Sequence, residues 1–242
     1  MPSPVSGRVR VLEAAPELGE GLTPEEFAAA LPAVAVPAFD LEPGSWSPDA
    51  LHEASISRGS VVANLVVDGL LALDLKLGRQ ASTHLYGPGD VLRVKAPDFS
   101  SLPLTVAFTV HMPTRIALLD DTFLAATQRW PRMTECLVKR ATDQILHLTV
   151  DQAISQLPRV EDRLLALMWR LADRWGRRRG DDVVVSLAIT HDALGRLIGA
   201  RRPTVSLGLT TLRERGALHV DERGDWILAA DSIRHLEARQ SQ

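Results

Sequence analysis

Between Arg201 and Arg213 the chain reads RRPTVSLGLTTLR, in which Arg201, Arg202, Thr204, Ser206, Thr210 and Arg213 gather guanidinium forks and hydroxyls into one short stretch. A guanidinium presents parallel N–H groups that match phosphate oxygens or the acceptor edge of a guanine, and hydroxyls both donate and accept. Such groups act together only on a rigid face. Val205, Leu209 and Leu212 recur four and three apart, which predicts a helix that buries them and leaves the polar set outside. Pro203 fits its first turn, where backbone donors lack partners in any case. Just upstream, Leu194, Leu197 and Ile198 predict another short helix. In it Gly195 is small enough for close approach, and Gly199 suits a tight turn at positive φ. Helix, glycine turn and helix in this spacing predict a helix-turn-helix whose second helix enters the major groove of double-stranded DNA.

After Gly216 the sequence ALHVDERGDWILAAD sets two apolar runs around residues 221–225, predicting a β-hairpin whose tip carries Arg223. An isolated helix-glycine-helix is equally a packing motif. The hairpin that follows makes it the winged variety and favours DNA, with Arg223 against the backbone.

The 242 residues suffice for about one and a half to two domains. A net charge of −3 would disfavour a nucleic-acid partner if it were evenly spread. It is not: residues 159–242 hold 15 basic and 12 acidic side chains, the rest 12 basic and 18 acidic. A basic C-terminal module on an acidic sensing or dimerising module is the expected arrangement. The lone Cys136 excludes an intrachain disulfide and a multi-thiolate cluster, so no iron–sulfur cofactor is expected. No apolar run approaches the roughly 18 residues of a membrane span, and the N-terminus lacks a basic-then-apolar leader, so a cytoplasmic protein with no membrane partner is expected. No Gly-rich phosphate loop, nucleophile elbow, His-Glu zinc motif or paired His and carboxylate occurs, so no enzyme is expected.

Eight of the fifteen prolines lie at or before Pro48, predicting a segment 1–50 that is irregular apart from one helix, capped by Thr23 and Glu26 and running through Leu31. From Gly59 to about Leu119, short Val-, Leu- and Thr-rich runs are punctuated by Asp68-Gly69, Leu77-Gly78 and Gly87-Pro88-Gly89-Asp90, predicting a β-domain over 51–128. A long helix is expected over Asp121 to Leu157, with Met133, Leu137, Ala141, Ile145 and Leu148 in an apolar stripe. That stripe serves either its own β-domain or a two-chain seam, and the dimerisation helix is placed at 129–157. Pro158 ends it and opens the DNA-binding domain, 158–242, whose first helix, Val160 to Gly176, turns Leu164, Leu167, Met168 and Leu171 inward.

In this order of elements, with RLLALMWRLADRWG and LGRLIGARRPTVSLGLTTLRERG as they stand, residues 55–235 resemble the Crp/Fnr family of bacterial transcription regulators. The resemblance implies an α+β fold: a cyclic-nucleotide-binding-like β-barrel (jelly roll), a dimerisation helix and a winged helix-turn-helix. It further implies a homodimer that reads near-palindromic DNA with one recognition helix per half-site, with RNA polymerase as a further partner. Arg202 falls on the arginine that begins the family's base-reading face, and Thr204, Val205 and Ser206 follow its pattern. Pro203 stands where many relatives carry an acidic residue and Leu207 where a second basic residue is frequent, so a different half-site is expected. Gly208, costly within a helix by about 1 kcal/mol relative to alanine, implies close packing against a neighbouring helix.

The family's Gly-Glu pair for the ribose and Arg-Ser or Arg-Thr pair for the cyclic phosphate align here with Arg93-Val94 and Leu104-Thr105. Both anchors are missing, so cyclic AMP is not expected to bind in the usual way. No cofactor is assigned and the effector is open. His84, His111 and His147 lack ligand spacing for haem or metal; Arg93 and Arg115 suit another anion or a cyclic dinucleotide, or simple salt bridges. A sequence-tolerant architectural DNA-binding protein is the alternative reading.

Overall fold

The computed structural model describes residues 7–48, 61–78, 80–93 and 101–234; Gly59, Val94 and the ends of the 55–235 resemblance lie outside them. The chain divides into two compact units, residues 1–79 with 84–146, and residues 80–83 with 147–242.

Most of a seven-stranded sheet lies in the first unit. Its strands are β1 (Gly7–Arg10), β2 (Ala35–Leu41), β3 (Gly44–Trp46), β4 (Val61–Leu77), β5 (Gln80–Tyr86), β6 (Val91–Leu92) and β7 (Leu104–Asp120). The order is β1-β2-β7-β4-β5, with β3 on β7 and β6 on β4. Long β4 and β7 pair antiparallel, Leu65 opposite Ala117 and Leu71 opposite Val110. Alternation along the strands gives the sheet two apolar faces. Ala63, Leu65, Ala117 and Leu119 pack on helices; Val66, Leu71, Phe108, Val110, Ile116 and Leu118 form a second core with Phe39 and Leu92.

Three expectations are corrected here. Residues 7–48 are not irregular: besides β1–β3 they hold α1 (Val11–Ala14), a short 3-10 turn and α2 (Pro24–Ala33). Pro16 and Pro24 fall in first turns, where a missing N–H costs nothing, so the proline content does not break structure. The capping box forms as expected, Glu26 N donating to Thr23 Oγ1 at 3.2 Å and Thr23 N to Glu26 Oε2 at 2.8 Å.

Asp68-Gly69, expected as a turn between strands, instead lies inside β4, where the register to β7 slips on both sides of Asp68. This is a bulge, which lets one 17-residue strand bend where two short strands were expected. Leu77-Gly78 and residues 87–90 do turn the chain, the latter closed by Gly87 N donating to Asp90 Oδ2 at 2.8 Å.

The long helix is in fact two, α3 (Asp121–Thr127) and α4 (Pro131–Ser155). Pro131 cannot continue a helix from behind and disfavours helical geometry at Trp130, so the chain turns before it.

The second unit contains α5 (Val160–Trp175), with Leu164, Leu167, Met168 and Leu171 buried as the spacing predicts. Arg170 Nε on α5 lies 3.1 Å from Asp151 Oδ1, tying down the last turns of α4. A four-stranded sheet runs β10-β11-β9-β8, from β8 (Arg177–Arg179), β9 (Asp182–Val185), β10 (Leu218–Val220) and β11 (Trp226–Leu228). Among the described residues, no helix is long and apolar enough to cross a membrane.

Candidate nucleic-acid interface

Two helices and a hairpin position the basic residues. α6 (His191–Ile198) starts where Thr190 Oγ1 accepts from Ala193 N at 3.2 Å, and ends at Gly199, left-handed at φ 66° and ψ 36°. α7 (Arg202–Glu214) follows after Ala200 and Arg201, with Pro203 in its first turn and Val205, Leu209 and Leu212 buried. Gly208 is pressed on α5: a Cβ there would lie 2.8 Å from Leu164 Cδ1, which is the close packing the sequence implied.

Gly195 is tighter still. Its Cβ would fall 2.5 Å from the Ala200 carbonyl oxygen, on a turn that Ala200 N fixes by donating to Gly195 O at 2.8 Å. Backbone cannot yield there without opening the turn. Gly195→Ala is therefore expected to destabilise the fold by about 1 to 3 kcal/mol despite better helix propensity. Urea unfolding of the whole chain checks this, and an unchanged midpoint would contradict it.

Arg201, Arg202, Thr204, Thr210 and Arg213 are exposed, and Ser206 is half-buried. At roughly 100° per residue, Arg202, Ser206, Thr210 and Arg213 line one side of the outward face, whereas Thr204 falls on the other. Arg163 from α5 donates to Leu157 O at 2.5 Å and Ile198 O at 3.3 Å, holding the linker and the end of α6 together. Ser206 Oγ lies 2.9 Å from His191 Nδ1 and donates to Arg202 O at 3.2 Å, so it joins α6 to α7. Because the single hydroxyl proton goes to Arg202 O, Ser206 Oγ is the acceptor in the second contact and the Nδ1–H tautomer of His191 the donor. Neither Arg163 nor His191 stood out in the sequence, because the contacts that join them to α6 and α7, Arg163 to Ile198 and His191 to Ser206, span 35 and 15 residues.

The wing forms as expected. β10 and β11 pair with Val220 opposite Trp226, and Arg223 is exposed at the tip. Asp221 Oδ1 accepts from Arg223 N at 3.0 Å and Asp225 N at 3.1 Å, which shapes the turn. Desolvation pushes the Asp221 carboxyl up, but these two N–H groups and nearby Arg179 outweigh it and hold the carboxyl below its ordinary value.

The stripe expected on α4 is divided. Met133 and Leu137 are buried in the helix-covered core of the first unit. Ala141, Ile145 and Leu148 are exposed, joined by Val138 and Leu146, which the sequence reading passed over. Of the sensor positions, Arg93 and Thr105 are exposed and Leu104 is half-buried. Arg115 pairs with Asp40 at 3.7 Å. Among the described residues no cluster of His, Cys, Asp or Glu suits a metal ion.

A winged helix-turn-helix with its outward helix face lined by unburied arginines, attached to a β-sheet domain, defines a DNA-binding regulator. Residues 162–236 match a family described as a Crp-like helix-turn-helix domain. The chain is 25% identical over 158 residues to a CRP-like cAMP-activated global transcriptional regulator of Mycobacterium tuberculosis, covering 65% of this chain and 69% of that one. It is 31% identical over 65 residues to an anaerobic regulatory protein of Bacillus subtilis, 27% of each chain. Two solved structures share the fold. One is a cyclic nucleotide-binding domain containing protein from Listeria monocytogenes (TM-score 0.63, 18% identity, 93% and 99% covered). The other is a mutant of CooA from Carboxydothermus hydrogenoformans (0.61, 16%, 84% and 86%). Residues 162–236 are thus a Crp-like helix-turn-helix domain, and the chain is similar to Crp-like transcription regulators.

Proposed function

We propose that this regulator is a homodimer that reads a near-palindromic DNA site, each copy placing α7 in the major groove of one half-site and its wing on the backbone. The observation that carries this is the exposed set Arg201, Arg202, Thr210 and Arg213 on a helix whose opposite face is fully committed to α5 and α6. Arg202, at the first helical position, contacts base edges; Arg201, Arg213 and Arg223 hold phosphates.

The dimer seam is the exposed side of α4. Val138, Ala141, Ile145 and Leu148 are spaced three, four and three, the a/d pattern of a two-stranded coiled coil, and Val138, Ile145 and Leu148 are 61%, 65% and 46% exposed. Such exposure in a single chain is what a partner helix would cover.

The Mycobacterium tuberculosis relative is cAMP-activated by name, yet this chain offers Leu104 where a cyclic phosphate would need a guanidinium. Calorimetric titration with cyclic AMP is expected to show no micromolar binding; a micromolar dissociation constant would overturn this. The effector is therefore a different molecule, or the β-domain serves the dimer alone.

Retention of sheared genomic DNA under excess mixed-sequence competitor tests the reading as a whole. A few discrete fragments should be kept. Uniform retention with steep salt dependence would instead support a sequence-tolerant architectural protein.

A further inference from the structure

An apolar ridge runs along the middle of the outward face of α7. Pro203, Leu207 and Thr210 follow the i, i+4, i+7 spacing on the side opposite Val205, Leu209 and Leu212. Leu207 is 68% exposed, more than any other large hydrophobic side chain among the described residues. Nothing in the fold requires an apolar residue there.

The hydroxyls beside it are turned back on the helix. Thr210 Oγ1 donates to Ser206 O at 3.1 Å, Thr211 Oγ1 donates to Leu207 O at 3.2 Å, and Ser206 is engaged with Arg202 O and His191. Their protons are committed inside the domain, so the centre of the face offers mainly methyl and methylene groups. Arg201 stands just before it and Arg202 and Arg213 lie along one side of it, and none of them forms an ion pair among the described residues. This cationic edge suits a polyanion and disfavours an apolar protein partner.

We propose that Leu207 reads thymine in each half-site through the C5-methyl group, with Pro203 extending the apolar contact. Of the four bases seen from the major groove, only thymine carries a methyl group; guanine and adenine present N7 with O6 or N6, and cytosine presents N4. Leu207 against those polar atoms would strip their water without returning a hydrogen bond, so the same side chain both attracts thymine and rejects the alternatives. This assignment rests on α7 being the DNA-reading helix.

Deoxyuridine isolates the contact, since it differs from thymidine by that methyl alone. The test takes the best duplex selected from a random library by the full chain and replaces its thymines singly by deoxyuridine. One symmetric position is expected to weaken binding about fourfold per half-site, the value of one buried methyl, while other thymines tolerate the change. Leu207→Ala, an exposed substitution that leaves folding unaffected, should bind the thymidine and deoxyuridine duplexes equally. A selected duplex with no sensitive thymine, or one whose sensitivity survives in Leu207→Ala, overturns this assignment alone. A changed oligomeric state in Leu207→Ala would make the ridge a protein contact and overturn it too. A library that yields no preferred sequence removes the DNA-reading role of α7 and this assignment with it.

Discussion

Arg202→Ala is expected to lose about 1 to 3 kcal/mol of discrimination between the preferred duplex and one altered at the contacted base pair, roughly 5- to 150-fold. Arg202 is the first residue of α7, is exposed, and spends none of its side-chain donors on an acidic partner among the described residues. N-terminal residues of a recognition helix approach the groove floor most closely, and a guanidinium there matches guanine O6 and N7 with two parallel hydrogen bonds. Arg201, Arg213 and Arg223 provide the comparison. Replacing any of them should weaken all sequences alike and flatten the salt dependence by about one unit of slope, as for a lost phosphate contact. Competition binding with matched and altered duplexes separates the two patterns. If Arg202→Ala weakened every sequence equally, its base-reading role would be wrong.

Ile145→Glu is expected to make the chain monomeric and to weaken binding to a palindrome by about a hundredfold or more, because two unpaired carboxylates would face each other in the seam. The side chain is 65% exposed within one chain, so folding should be untouched and the thermal transition of the monomer intact. Met133→Glu should behave differently, since Met133 has no exposed surface and lies in the core with Phe123 and Leu137. Light scattering across a concentration series measures the first outcome. A dimer that persists in Ile145→Glu would place the interface elsewhere.

The contrast between Met133 and Ile145 shows where sequence reading reaches its limit. The apolar period of α4 is visible in the sequence, yet period alone does not tell which residues its own sheet uses and which stay outside. That depends on Trp130 and Pro131 setting the direction of the helix, and on β4 and β7 offering Leu65 and Leu119 to it. Val138, one step round from Leu137, came to light only with the sheet in place. In the C-terminal domain the local signals agreed with one another: Gly199 at the turn, Pro203 at the helix start and Val205, Leu209 and Leu212 on one face were all legible. Its first hairpin was passed over, although Gly180 and Asp181 before a run of valines is an ordinary turn signal. The Gly69 bulge was misread for a physical reason. Asp-Gly suits a turn and a bulge equally, and only the pairing of a single long β4 with β7 decides between them.

The most direct test is selection of duplexes from a random library by the purified chain without added ligand, followed by sequencing. Recovery of a near-palindrome with half-site centres about one helical turn apart is the predicted result, as for a dimer presenting two copies of α7 on one side of the DNA. Selected sequences with no common element, from a protein shown to be folded and dimeric, would contradict the account.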